Sequence, residues 1–250
     1  FTMKPRWRGV LIGVLAYLIF MVSNAPAAKV LSWVQPEGVR IAGVDGSLWS
    51  GQAALVSVAP VQLESLRWEF RPFALFVGQL GFALEADLLG RPVQADVGSS
   101  FLGTPKVSDV RGHIAAADLL RMLGVTQQVG LAGELDFAID RVEWPEAGAY
   151  PALQGAVTWS PARIVAPVQL ELGKAELNTW IEDGITRGKV ETQGGPLLVE
   201  ADVELQPGGA YRFDARLQQK GDVPPAVGDF LSSFAEYSNG TYRLEWSDSI

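Results

Sequence analysis

Apolar and polar residues alternate with a period of two through most of this chain, and that rhythm admits strands and little else. In Phe82-Ala83-Leu84-Glu85-Ala86-Asp87-Leu88 the even positions are apolar and the odd ones polar or small. Further on, Tyr211, Phe213, Ala215 and Leu217 oppose Arg212, Asp214, Arg216 and Gln218. Successive strand side chains point to opposite faces, so segments of this kind bury one face and wet the other, as antiparallel strands do. With 27 Gly and 15 Pro supplying turns between them, the pattern predicts a mainly β protein built on a long, curved antiparallel sheet, a β-groove or open barrel.

Taken in order, strands are expected over 39–44 and 47–58, with Asp45-Gly46 as the hairpin turn and a bulge at Gly51. Further strands are expected over 61–70, 76–88, 93–101, 107–114, 131–142, 153–159, 168–177, 185–192, 196–205, 210–219 and 242–246. Two helical patterns interrupt them, 115–123 before Gly124 and 222–237 behind Pro224-Pro225. They read as two short caps on the sheet. The stretch 124–130 is the one place where two repeats would meet.

Ahead of this body, Lys4, Arg6 and Arg8 precede twenty uncharged residues, Gly9 to Ala28, with Leu11, Ile12, Leu15, Leu18, Ile19 and Phe20 in the apolar run. A helix of about 20 such residues crosses about 30 Å of hydrocarbon. The cations keep residues 1–8 on the cytoplasmic side, make 9–28 a transmembrane helix, and send 29–250 across as one exported domain. The small residues Ala25-Pro26-Ala27-Ala28 also fit a cleavable signal peptide, and either reading exports the remainder.

The net charge is −8, and −11 once the three N-terminal cations are set aside, which excludes the basic face a nucleic-acid binder needs. With no cysteine and the single His113, thiol chemistry is excluded and a transition-metal site has no natural donor set. His113 has Ser108 and Asp109 nearby in sequence but no glycine-flanked nucleophile elbow, so it reads as structural. Glu134 and Asp136, or Glu200, Asp202 and Glu204, lie on one strand face and read as solvated rather than as a glycosidase pair. Glu182-Asp183-Gly184 lacks the further oxygens of a calcium loop, and no phosphate-binding or dinucleotide fingerprint occurs, so no cofactor is expected. The apolar residues Phe73, Phe76, Leu80, Phe82 and Leu84 make a face that one short cap cannot wholly cover; it reads as ordinary packing across a curved sheet, with a groove open to an acyl chain or a partner as the alternative.

The residues Gly46-Ser47-Leu48-Trp49-Ser50-Gly51-Gln52-Ala53 resemble the Gly-Ser-Leu-Trp-x-Gly-x-Ala signature of the type II secretion system protein N family. The resemblance extends through Leu63 to Pro72 and Val110 to Leu119, with a weaker similarity to AsmA-like β-groove proteins. It implies an accessory subunit in the bacterial inner membrane, single-pass with its main domain periplasmic, whose partners are other secretion-system subunits and the membrane. It brings no catalytic residue or cofactor. The AsmA-like similarity implies the alternative, a lipid-binding or lipid-transfer module. Within the motif, Trp49 is expected to anchor the first hairpin in the core, and Gly46 and Gly51 to hold backbone that side chains would obstruct.

Overall fold

Backbone pairing follows chain order. The computed structural model describes residues 20–21, 25–34, 38–101, 103–122, 124, 129–145, 149–221, 225–233 and 235–249. After helix α1 (Ala27–Val34) come β1 (Val39–Ala42), β2 (Asp45–Gly46), β3 (Ser50–Val58) and β4 (Val61–Phe70). A 3-10 helix (Pro72–Val77) leads to β5 (Gln79–Leu88), β6 (Arg91–Ser100), β7 (Pro105–Ala115), α2 (Ala116–Met122), β8 (Gly130–Glu143) and β9 (Ala152–Ala166). The chain continues as β10 (Leu170–Glu182), β11 (Ile185–Gly194), β12 (Leu197–Leu205), β13 (Ala210–Gln219), α3 (Pro225–Ser232), β14 (Glu236–Ser238) and β15 (Thr241–Ser249).

All fifteen strands form one antiparallel sheet in which neighbours in space are nearly always neighbours in sequence, with β1 at one margin and β14 at the other. The sheet stays open. Paired residues share a face, and the register lines up an apolar row: Gly112, Phe137, Val157, Leu177, Val190, Ala201, Ala215 and Leu244 face one another from β7 to β15. Charges take the other side, as in Arg216 opposite Glu200 and Arg243. β7, before the stretch 124–130, pairs with β8, which begins at its end, from Val107 and Val142 to Ala115 and Glu134.

Tight turns come where their chemistry sits. Asp183-Gly184 and Asn239-Gly240 both have positive φ at each residue, the type I′ pattern whose twist matches that of the flanking strands. Two strands carry extra residues with φ near +52°, Ser65 in β4 and Asp109 in β7, each at a register shift; such bulges sharpen the local twist.

Several boundaries differ from expectation for local reasons. Asp45-Gly46 is not the turn but a short strand on β3, because Ser47 makes a better one immediately after it. The strand expected from Phe76 begins at Gln79, since Pro72 opens a 3-10 helix that Gly78 ends at φ +74°. The last helix stops at Ser232, and Glu236–Ser238 is drawn into pairing with Thr241–Arg243 by the Asn239-Gly240 turn. Gly51 sits in an unbroken register opposite Trp68 and is no bulge.

The best-buried cluster lies under α3. Val227 and Leu231 reach down onto Ala162, Leu170, Leu172 and Leu197, with Trp159, Ile164, Leu217 and Tyr242 packed around them. Fully burying side chains of this size stabilises by about 1.5–3 kcal/mol each. α2 covers β7 and β8 through the buried Ala116. Most of the segment 9–28 lies outside the described residues; Phe20 and Met21 are helical, and no described helix is long and apolar enough to cross a membrane.

Because Leu197 is only 1 % exposed beneath α3, Leu197→Ala should cost about 2–5 kcal/mol. Urea unfolding followed by circular dichroism checks this as a fall in midpoint at unchanged slope.

Candidate functional site

The motif Gly46 to Ala53 builds the hairpin where the lead segment meets the sheet. The Ser47 hydroxyl oxygen accepts from the backbone N–H groups of Trp49 (3.3 Å) and Ser50 (3.1 Å), and the Ser47 N–H donates to the Ser50 carbonyl (2.9 Å). This closes a turn that serine at its first position favours. From outside the sheet, Pro26 bridges to Ser47 and the Leu48 N–H donates to the Ala25 carbonyl (2.9 Å). Ala27, the first residue of α1, is fully buried there. The uncharged stretch is thus broken at Ala25-Pro26, and its last residues belong to the domain.

Space explains the motif's glycines as much as dihedral angle does. Gly46 has φ +92° and lies against Gly51 across the β2–β3 pair; a Cβ on it would come within 2.7 Å of the Gly51 Cα. Gly51 faces Trp68, and a Cβ there would meet that ring at 2.4 Å. The Trp68 indole N–H donates to the Ser47 carbonyl (3.2 Å), so the ring lies over Gly51 and locks the hairpin to β4. Trp49 is half-buried and meets Phe70 edge-on at 4.7 Å, and Phe70 in turn meets Phe82 at 5.5 Å. Ala53 is buried at 1 % exposure. Trp68 and Phe70 were not singled out in the sequence. Their signal was the alternation within Leu66, Trp68 and Phe70, which puts them on the face that Gly51 leaves open.

The expected apolar groove divides in two. Leu80, Phe82 and Leu84 alternate along β5 on the apolar face, Phe82 opposite Phe70 and Leu84 opposite Trp68, and the last two of the three are half-buried. Phe73 and Phe76 stand apart on the 3-10 helix, 81 % and 87 % exposed, their rings 6.3 Å apart as residues three apart on such a helix must be. The residues expected to anchor the chain, Lys4, Arg6, Arg8, Leu11, Ile12, Leu15, Leu18 and Ile19, lie outside the described residues; Phe20 is described and exposed.

On the opposite face, shallow depressions run over β3 to β8. One of about 580 Å³ is lined by Arg67, Glu85, Asp87, Gln94 and Arg111. A neighbour of about 390 Å³ lies beside the motif at Asp45, Gln52 and Glu69. Arg111 pairs with Asp109 (3.4 Å) and Asp140 (3.3 Å), and Arg71 with Asp96. Such exposed pairs contribute about 0–1 kcal/mol each. Donating to the Glu134 carboxylate raises the pKa of the Arg91 guanidinium, and donating to Glu191 does the same for the Lys189 ammonium. Among the described residues no three His, Asp or Glu side chains converge as metal ligands would. His113 faces Asp136 across β7–β8, and Ser108 is five residues back along the same strand, about 16 Å at strand rise. That separation precludes a hydrogen-bonded pair.

The fold and the marked residues define a class: an open-sheet protein whose signature builds scaffold, at the junction between an uncharged lead and the sheet. The type II secretion system (T2SS), protein N model matches residues 37–245. Three proteins named type II secretion system protein N align with nearly all of it. That of Vibrio cholerae is 28 % identical, with 90 % of this chain and 92 % of that protein covered. That of Aeromonas hydrophila is 29 % identical over 84 % of each. The Klebsiella pneumoniae protein is 25 % identical over 98 % of this chain and 95 % of its own. The chain belongs to the type II secretion system protein N family. No solved structure matches it.

Gly51→Ala should destabilise by about 1–3 kcal/mol as the new Cβ meets the Trp68 ring. Adding Trp68→Ala should relieve part of that, leaving the double variant less destabilised than the sum of the singles. Strict additivity in urea unfolding would show that the ring is not the neighbour that matters.

Proposed function

We propose that this protein is an accessory subunit of a type II secretion system, anchored in the bacterial inner membrane, with its sheet in the periplasm and acting through protein–protein contacts. Family membership supports the machine; the uncharged lead behind three cations supports the anchor and its orientation. The observation that carries the contact role is the margin of the sheet. β14 covers β15 only from Thr241 to Arg243, and among the described residues no strand covers the same edge from Leu244 to Ser249. An edge of that length invites strand addition by a partner. Trp246, 54 % exposed beside it, offers the side-chain contact that would fix which strand binds.

A photo-crosslinking amino acid at position 246, irradiated in native membranes while the machine is assembled, should give an adduct with another secretion-system subunit. The same label at Leu89, in the β5–β6 turn away from that margin, should not. Failure to crosslink at 246 counts against the contact role.

One feature favours a second reading, a lipid-binding module: Phe82 and Leu84 remain half-buried although they lie on the apolar face. Native mass spectrometry after gentle detergent extraction separates the readings. A stoichiometric lipid lost on Leu84→Asp supports the second; a lipid-free mass in the unaltered protein removes it.

A further inference from the structure

Strand order places several separate features at one end of the sheet. The hairpin turn Ser47 to Ser50, the 3-10 helix between β4 and β5, and the β6–β7 turn at Phe101 all lie there, since Phe70 pairs with Phe82 and Gln79 with Ser100. The Phe70 N–H donates to the Trp49 carbonyl (2.7 Å), and the Phe101 N–H donates to the Gly78 carbonyl (3.2 Å), which ties the three turns into one rim. On this rim four apolar side chains point into solvent: Phe73 81 %, Phe76 87 %, Val77 70 % and Phe101 66 % exposed. Exposing four such groups side by side is costly in water, and nothing in the sheet requires it, because strand turns are normally polar.

Charge and chain path say what covers them. From Phe70 to Leu84 the only charged residue is Arg71, and from Val97 to Pro105 there is none before Lys106. In a chain of net charge −8, this knob carries no acid along its own two segments; Arg71 within it is paired with Asp96, and Lys106 is the cation that flanks it. The nearest acid, Asp96 on β6, is held by Arg71, and Asp45 and Glu69 belong to the neighbouring hairpin. The uncharged lead enters at the same end, pinned by Ala25 and Pro26 to Leu48 and Ser47. In sequence only Ser23 and Asn24 lie between that pin and the apolar run that ends at Val22, so the rim and that run are joined by a two-residue reach. From β3 to the β6–β7 turn is three to four strand spacings, about 14–19 Å.

We infer that the rim formed by Phe73, Phe76, Val77 and Phe101 is a membrane-docking surface that seats in the phospholipid interface beside the N-terminal span. Phe and other apolar side chains buried at the headgroup boundary are the recipe of interfacial docking, and the cation Lys106 beside them suits anionic lipid. The inference rests on the anchoring proposed above, and its test separates the two. The chain has no cysteine, so single thiols are unique reporters. The full-length protein is reconstituted in phosphatidylethanolamine–phosphatidylglycerol vesicles, with a bimane label at Leu15→Cys, Phe76→Cys, Phe101→Cys or Leu89→Cys. The last, in the β5–β6 turn, lies at the far end of a ten-residue strand, about 33 Å away.

A nitroxide lipid with its spin near the headgroup should quench the labels at 76 and 101 several-fold more than the label at 89, while aqueous iodide does the reverse. Two independent rim positions guard against one variant failing to fold. If position 15 is lipid-quenched but 76 and 101 follow iodide, or are shielded from both quenchers as a protein contact would shield them, the docking surface is overturned and the anchor stands. If position 15 is not quenched by a second lipid whose nitroxide sits in mid-acyl chain, the anchor itself falls, and this inference with it.

Discussion

Cross-strand register is the constraint on which this structure depends. No strand has a core of its own to fall into; each is held by backbone hydrogen bonds and side-chain rungs to the strand that follows it in the chain. A slip of one residue anywhere would turn an apolar row to solvent. The row from Gly112 to Leu244 is the product of seven pairings that must all agree. The meander limits this risk because each partner is close in sequence, and it leaves two consequences. Among the described residues the margins stay open, and α2 and α3 cover part of the apolar face.

That dependence also decides what was legible in the residues. Alternation is local, so the strands, their order and the two caps could be read from patterns such as Phe82 to Leu88. Contacts that cross strands could not. The Gly51 requirement comes from Trp68, seventeen positions along, and only the register reveals that the indole lies above it. The run Phe73-Ala74-Leu75-Phe76-Val77 is apolar without alternating and so passes for a buried strand. Pro72 and the left-handed Gly78 make it a 3-10 helix, which moves Phe73 and Phe76 off the face shared by Leu80, Phe82 and Leu84. Asp45-Gly46 carries a turn signal that loses locally, because the Ser47 side chain captures two backbone donors in the next few residues.

The family signature acquires a physical meaning from its position. Gly46, Ser47, Leu48, Trp49 and Gly51 do structural work. They make the one place where the lead, the first hairpin and the second strand are fastened together, through the Leu48 and Ser47 contacts to Ala25 and Pro26 and the Trp68 lock. If the protein is held in place by its lead, as proposed above, its rigid body needs a stiff joint to that attachment, since a flexible linker there would discard orientation.

The stiffness of that joint makes the two ends of the sheet different in kind. β9, at fifteen residues, is about 50 Å long, running from the rim near the lead to the far end. Both cap helices lie at the far end, α2 following Ala115 at the close of β7 and α3 following Gln219 at the close of β13. The near end carries exposed phenylalanines, the far end packed helices over the best-buried cluster. If the lead sits in a bilayer, the strands project the capped end some tens of ångströms into the space beyond it. The β15 margin is then presented along its length between the two, at a height set by the sheet rather than by a tether.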